Sequence, residues 1–363
     1  MIGLLSSVAT VALAGALALQ SLVGIPRASA QQAPPAGPAS APPAQQPPPT
    51  GSPVITVDAG AFDPSTQAEV LEFLPRTVRV PVGGAIHWRV NGFHNVAFPS
   101  GAQPPELIVP VPGTQDVQVN PLVAFPVQPA PTYDGTTYFN SGLPQPNQQD
   151  FEWTLTFSKP GAYAYLCSVH PNMQAFVVVE PAGTAVPTQD EVTVQGQREA
   201  QQYFADAQTA VQRQQAAVPA AATGGTWTVS MDAPDSPHYA LQRFFPQTLT
   251  IQAGDTVRWV NPSVAEPHTV TFRAGAPRES EFTPIPQPNG PPMIMGNPRV
   301  LAPVVPPSPY DGQSYANSGF LGEGFPFGRD FSLTFSQPGT YQYVCVLHED
   351  LGMSGFVVVT PRG

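Results

Sequence analysis

From residue 54 onward the apolar positions recur every second residue, in short runs. Val78, Val80 and Val82 alternate with Arg79 and Pro81, and Leu249 and Ile251 alternate with Thr250 and Gln252. Trp153, Leu155 and Phe157 form a further alternating set, as do Tyr163, Tyr165 and Cys167. A period of two turns one face of a strand to a core and the other to water. The runs are broken by Gly83-Gly84, Gly254-Asp255, Lys159-Pro160-Gly161 and Gln337-Pro338-Gly339, which are turn sequences. Short alternating strands between such turns predict an antiparallel β-sandwich. One stretch departs from this pattern. Residues 198–215 lack Pro and Gly and space Ala200, Phe204, Ala207 and Val211 at helical intervals, which predicts a helix packed on a neighbouring domain.

The chain also repeats itself. Phe73-Leu74-Pro75 and Trp88 find counterparts in Phe244-Phe245-Pro246 and Trp259 at an offset of 171 residues, and His94 finds His268 at 174. Tyr133-Asp134-Gly135 and Asn140-Ser141-Gly142 match Tyr310-Asp311-Gly312 and Asn317-Ser318-Gly319 at 177. Tyr163, Tyr165, Cys167 and His170 match Tyr341, Tyr343, Cys345 and His348 at 178, and Phe176 to Val179 match Phe356 to Val359 at 180. An offset that only grows is the mark of duplication with loop insertions. The expected organisation is two tandem domains, 54–182 and 224–360, joined by a linker at 183–223 that carries the helix.

Before the first repeat lie two segments of different character. Residues 1–30 are apolar almost throughout and close on Ala28-Ser29-Ala30, a small-residue cleavage pattern, so they read as an export signal. No Lys or Arg precedes the apolar run, and retention as a membrane anchor is the alternative outcome. Residues 31–53, rich in Pro, Ala and Gln, read as a disordered spacer. The expected location is periplasmic or extracellular.

Composition supports the all-β reading, since 48 prolines and 31 glycines in 363 residues argue against helical bundles and doubly wound α/β folds. The net charge of −11, with Lys159 the single lysine, excludes nucleic acid as a partner. Loss of residues 1–30 would remove Arg27 and no acid, taking the charge to −12 and favouring a basic redox partner. An exported protein has access to disulfides, yet the chain has only Cys167 and Cys345, one per repeat. A bond between them is therefore not expected, and each cysteine has a role in its own domain.

That role follows from its neighbours. Cys167, His170 and Met173 share one short loop at a strand end, as do Cys345, His348 and Met353. Each domain has an earlier histidine just before an alternating segment, His94 in His-Asn-Val-Ala-Phe and His268 in His-Thr-Val-Thr-Phe. A single buried His or Cys is usually structural; the same loop twice, each with a matched upstream histidine, points to metal. Cysteine, two histidines and a distant methionine form the donor set of an electron-transfer copper site. Zinc would accept Cys and His but gains little from a thioether.

At these residues the chain resembles the cupredoxins, the plastocyanin, amicyanin and azurin group of blue copper proteins. C-x2-H-x4-M in the second domain is similar to plastocyanin, and C-x2-H-P-x-M in the first, with Pro171 after the histidine, is similar to amicyanin. The resemblance implies two tandem Greek-key β-sandwiches with one copper each, held by His94, Cys167, His170 and Met173 and by His268, Cys345, His348 and Met353. It implies too that His170 and His348 are solvent-edge ligands, ringed by apolar side chains, where electrons enter and leave. Glu349 and Asp350 beside His348 are expected to favour its protonated form. The departure from the family is length. Residues 104–149 and 277–328 are Pro-rich insertions for which the resemblance offers no role, and within them Met293 and Met295 read as packing.

The expected function is an exported electron carrier between a redox donor and an acceptor, with no contact to membrane unless the N-terminal segment is retained. An enzyme of the multicopper oxidase or copper nitrite reductase kind needs further histidines, usually as His-x-His pairs. No such pair occurs, and His87 and His238, left over from six histidines, have no repeat partner and read as ordinary surface or strand residues. A copper-binding or delivery module is the other alternative.

Overall fold

The computed structural model describes residues 53–145, 148, 150–170, 172–218, 222, 225–233 and 236–363. The proposed signal, nearly all of the spacer, Pro171 and the end of the linker lie outside the described residues. The chain divides into two compact units, 1–37 and 38–363, and every described residue falls in the second.

The described residues are all-β apart from one long helix, two single-turn α-helices and one 3₁₀ turn. Two aromatic-rich cores sit between pairs of sheets. The first is built around Trp88, Phe98, Trp153 and Tyr165, the second around Trp259, Phe272, Phe335 and Tyr343. Alternation predicts the burial well. In Thr77–Pro81 the sides alternate, Val78 and Val80 facing inward, and Thr248–Gln252 does the same with Leu249 and Ile251.

The sheets are mixed, which the period-two pattern did not reveal. Val54–Asp63 runs antiparallel to Ala68–Leu74 but parallel to Ala85–Val90. Beyond Leu74 the chain crosses to the opposite sheet, where Thr77–Pro81 lies parallel to Gln174–Glu180. The C-terminal half repeats this: Thr226–Met231 is parallel to Thr256–Val260, and Thr248–Gln252 to Ser354–Thr360. A strand that switches sheets brings the beginning and end of each half side by side in the same direction. Alternation reports which face is buried and says nothing of the neighbour's direction.

The halves are joined more closely than tandem domains on a linker. Tyr239–Leu241, from the C-terminal half, pairs antiparallel with Ala68–Leu74 and extends the N-terminal sheet to six strands. The two Pro-rich insertions meet as well. Ile108–Pro110 and Val117–Val119 from the first join Phe282–Ile285 and Met293–Gly296 from the second in one four-stranded sheet, with Met295 opposite Gln118.

The helix is longer than its apolar spacing suggested, running Gln189–Ala216. Its start is set by Thr188, whose hydroxyl accepts from the Glu191 N–H while the Glu191 carboxylate accepts from the Thr188 N–H, a reciprocal cap. Gly196, which discouraged an earlier start, lies where the helix crosses the N-terminal half. A Cβ there would stand 3.0 Å from the Leu74 carbonyl. Further along, Ala207, Ala210 and Val211 pack with Ala68 of one half and Tyr239, Leu241 and Phe245 of the other. The helix thus splints both halves. Among the described residues no helix is long and apolar enough to cross a membrane.

Candidate metal centres

Each half brings one thiol and two imidazoles together. In the N-terminal half Cys167 Sγ lies 3.9 Å from His94 Nδ1 and 3.7 Å from His170 Nδ1, the two nitrogens being 2.9 Å apart. In the C-terminal half Cys345 Sγ lies 3.8 Å from His268 Nδ1 and 3.4 Å from His348 Nδ1, with 3.1 Å between the nitrogens. All six side chains are buried. A metal ~2.3 Å from sulfur and ~2.0 Å from nitrogen in a trigonal plane holds its donors roughly 3.5–3.7 Å apart. The sulfur–nitrogen distances stand close to that spacing, the two nitrogens of each set are nearer one another, and soft sulfur with two imidazoles is a donor chemistry that fits copper. Both cysteines are free thiols.

The backbone closes each loop in the same way. The Cys167 N–H donates to the Met173 carbonyl at 3.0 Å, and the Met173 N–H to the His170 carbonyl at 2.8 Å. Cys345 donates to Met353 at 3.0 Å, and Met353 to His348 at 3.1 Å. Met173 and Met353 are fully buried in the cores that hold their cysteines. The two extra residues of the second loop are taken up in a 3₁₀ turn, Glu349–Leu351, ended by Gly352 at φ 87°.

Each upstream histidine is seated against backbone and a carboxylate. Gly60, the bulge in strand Val54–Asp63, has φ 82°; a Cβ there would stand 2.4 Å from the Asn91 carbonyl oxygen and 2.6 Å from His94 Nε2. His94 Nε2 faces Glu69 Oε1 at 3.6 Å. By strand register the counterpart of Gly60 is Asp232, also left-handed at φ 66°, and its Oδ2 lies 3.4 Å from His268 Nε2. Both halves therefore put an acid behind the inner histidine, but from different positions in the repeat. Aligning the repeats could not reveal this.

The recurring Asn-Ser-Gly motifs, without a role at the sequence level, tie the insertions to the centres. Asn140 Nδ2 donates to the carbonyls of Leu122, Val123 and Phe125, and its Oδ1 accepts from Asn95 Nδ2 at 2.7 Å. Asn95 Oδ1 in turn accepts from the N–H of Ser168, next to Cys167. In the other half Asn317 holds Arg299, Val300 and Ala302 and accepts from Thr271, while Thr269 Oγ1 accepts from the Val346 N–H. Ser141 and Ser318 accept from the N–H groups of Val96 and Val270. Tyr133 and Tyr310 are buried among aromatic rings. Met293 and Met295 lie in the sheet that the insertions share.

The outer histidines are nearly buried, at the wall of a cleft. His170 and His348 are 5% and 7% exposed, and they face one another across a single carboxylate. His348 Nε2 hydrogen-bonds to Glu266 Oε1 at 3.0 Å, and His170 Nε2 stands 2.9 Å from Glu266 Oε2. That second oxygen has no aligned hydrogen bond. Beside this junction a cleft of about 1440 Å³ runs between the halves, walled by Phe93, Pro104, Leu107, Phe282, Phe325 and Leu347. The apolar side chains expected around the two histidines are present, but they line a cleft within the molecule. Glu349 and Asp350 do not act on His348 as free charges: Arg273 donates to Glu349 at 2.9 Å and Arg278 to Asp350 at 2.7 Å. His87 is an ordinary strand residue bonded to Thr154. His238 has a structural partner instead, the fully buried Glu72 of the other half.

Charge within the centres follows this geometry. Burial raises the Cys167 thiol, but hydrogen bonds from His170 and His94 outweigh it and bring it down to about 5. Burial acts the same way on Cys345, and the charge of His348 and the bond to His268 hold that thiol well below the usual range. His170 is lowered by burial yet held well above its ordinary value by Glu266 and Cys167. His348 is held up in the same way, by Cys345 and Glu266.

Comparison with known proteins finds copper-binding relatives. Residues 320–360, which contain the second loop, match the family of copper binding proteins of the plastocyanin/azurin type. A plastocyanin of Scenedesmus fuscus is 28% identical over 116 residues, 32% of this chain and 85% of the plastocyanin. Among solved structures, an oxidized mutant of amicyanin is 24% identical over 39% of this chain and 87% of its own, with a TM-score of 0.22. A reduced amicyanin mutant is 26% identical over 39% and 88%, with a TM-score of 0.19. The fold is read from the strand pairing itself, and the resemblance of the chain is to the cupredoxins.

Proposed function

We propose that this chain is an exported electron carrier that holds two copper ions, one in each half, and works between a redox donor and an acceptor with a basic surface. The observation that carries the reading is the duplicated donor set: His94, Cys167 and His170, and His268, Cys345 and His348, each buried with its ligand atoms within 4.8 Å of one another. Met173 and Met353, buried beside the cysteines, would add a thioether donor to each set. Copper supplies a one-electron couple in such a site. The protein supplies rigidity. The closed Cys–His–Met loops, the acids behind His94 and His268, and the Asn140 and Asn317 networks hold the donors in one arrangement for both oxidation states, so little has to move on electron transfer.

Carrier and oxidase make different demands on the remaining histidines. His87 is bonded to Thr154 across its sheet and His238 to Glu72, so neither is placed to support a further catalytic metal. Anaerobic titration with a one-electron reductant tests the reading. The copper-loaded protein should take up two electrons reversibly and show no turnover with phenols and oxygen or with nitrite. Sustained turnover that a chelator abolishes would overturn it in favour of an enzyme.

A further inference from the structure

In the resemblance read from the sequence, the histidine of the Cys-His-Met loop meets solvent and passes electrons outward. Here both such histidines are buried and directed at one another, and the group between them is Glu266. We propose that Glu266 is a positioning residue that couples the two metal centres, so that an electron received by one half passes to the other through the line His170–Glu266–His348. The inference rests on the two-copper reading above.

Three observations support it. First, the ring chemistry fixes the direction of the contacts. An imidazole that gives Nδ1 to a metal carries its proton on Nε2. The Nδ1 atoms of His170 and His348 face their cysteines, which leaves both Nε2 atoms on the carboxylate side: His348 Nε2 hydrogen-bonds to Oε1 at 3.0 Å, and His170 Nε2 stands 2.9 Å from Oε2. The oxygen of Glu266 that lacks an aligned bond is the one facing His170.

Second, the main chain that carries Glu266 is fixed by its own segment. Ser263 Oγ accepts from the Glu266 N–H at 3.1 Å, and Asn261 Nδ2 donates to the Glu266 carbonyl at 2.9 Å. Arg329 donates to the carbonyls of Asn261, Pro262 and Ser263. Third, the residue belongs to one repeat only. Between Trp259 and His268 the second repeat is three residues longer than the first between Trp88 and His94, and Glu266 lies in that longer segment. One carboxylate touches the outer histidines of both halves, and a group that joins the centres is needed once.

The transfer is a one-electron step: one centre goes from Cu(I) to Cu(II), the other from Cu(II) to Cu(I). No bond breaks, and the two N–H protons stay on their rings. Glu266 is not needed to keep the halves together, because the pairing of Tyr239–Leu241 with Ala68–Leu74 and the sheet shared by the insertions do that independently.

Exchange NMR on half-reduced, copper-loaded protein tests the proposal, following residues of each half as they pass between oxidised and reduced forms. Wild type should show an exchange rate that does not change with protein concentration, the mark of transfer within one chain. Glu266→Ala should lower that rate by roughly tenfold or more while both thiolate-to-copper bands remain. Glu266→Gln, which keeps the shape but offers only one acceptor, should fall between. Equal rates in all three proteins would overturn the coupling, as would a wild-type rate that grows with concentration. A third copper lost in Glu266→Ala would also overturn it, making Glu266 a metal ligand. Absence of both bands from wild type would instead remove the two-copper reading on which the coupling stands.

Discussion

Gly60 and Gly83 separate two costs that are normally measured together. Both have left-handed backbone, at φ 82° and 85°, so alanine at either pays for the conformation, about 1–2 kcal/mol. They differ in the space around them. A Cβ on Gly83 meets nothing within 4 Å, whereas one on Gly60 lies 2.4 Å from the Asn91 carbonyl oxygen and 2.6 Å from His94 Nε2. Relieving that overlap means moving backbone or the buried histidine, a further ~1–3 kcal/mol. Gly83→Ala should therefore cost about 1–2 kcal/mol and Gly60→Ala roughly 2–5 kcal/mol. With a urea slope of roughly 2–3 kcal/mol/M, the unfolding midpoint of the metal-free protein should drop by about half a molar in the first variant and about 1–2 M in the second. Only Gly60→Ala should weaken copper binding at the first centre, and neither should alter the second. Equal midpoint shifts would refute the argument that Gly60 is glycine to seat His94. So would an unaltered first centre in Gly60→Ala.

Other outcomes follow from the same contacts. In metal-free protein the Cys167 thiolate should appear in ultraviolet titrations near pH 5 instead of about 8.5, the value for a free thiol; a midpoint above pH 8 would contradict the pairing with His94 and His170. Because that pKa is depressed in the folded state, its stabilising contribution is present above the unfolded value and is lost as pH falls through about 5. Leu241 belongs to the C-terminal half but is fully buried beside the N-terminal sheet, so Leu241→Ala should cost about 2–5 kcal/mol and speed hydrogen exchange at residues 68–74; protection unchanged there would exclude the shared sheet. Thr188→Ala, which removes the reciprocal cap, should lower stability by about 1 kcal/mol without altering either centre, and calorimetry of the apo and copper-loaded forms checks both statements.

What could be read in the sequence was what is local or duplicated. Alternation at Val78 and Val80 or at Leu249 and Ile251 reports burial directly, and the cysteine loops carry three of their four expected donors within nine residues. His94 and His268 were legible only because the repeat aligned them. Glu266 was not, since the growth in offset between the two tryptophan–histidine segments reads as a loop insertion until the loop is seen to end between two histidines. Asp232 stayed hidden for a related reason: its counterpart is Gly60, and the matching acid of the other half, Glu69, comes from another strand. The early start of the helix was written in Thr188 and Glu191, but Gly196 masked it, because a glycine that lets two backbones approach looks the same as one that breaks a helix. The joining of the halves through Tyr239–Leu241 and Met295 leaves no trace in periodicity, which marks a face as buried without naming what covers it.

Copper stoichiometry with the visible spectrum, measured on wild type and on Cys167→Ser and Cys345→Ser, tests the central claim most directly. Two buried Cys-His-His sets predict two copper ions per wild-type chain and an intense thiolate-to-copper band, with each variant keeping one copper and about half of the absorbance. A wild type that binds a single copper would contradict the account, and so would either variant with a full-strength band.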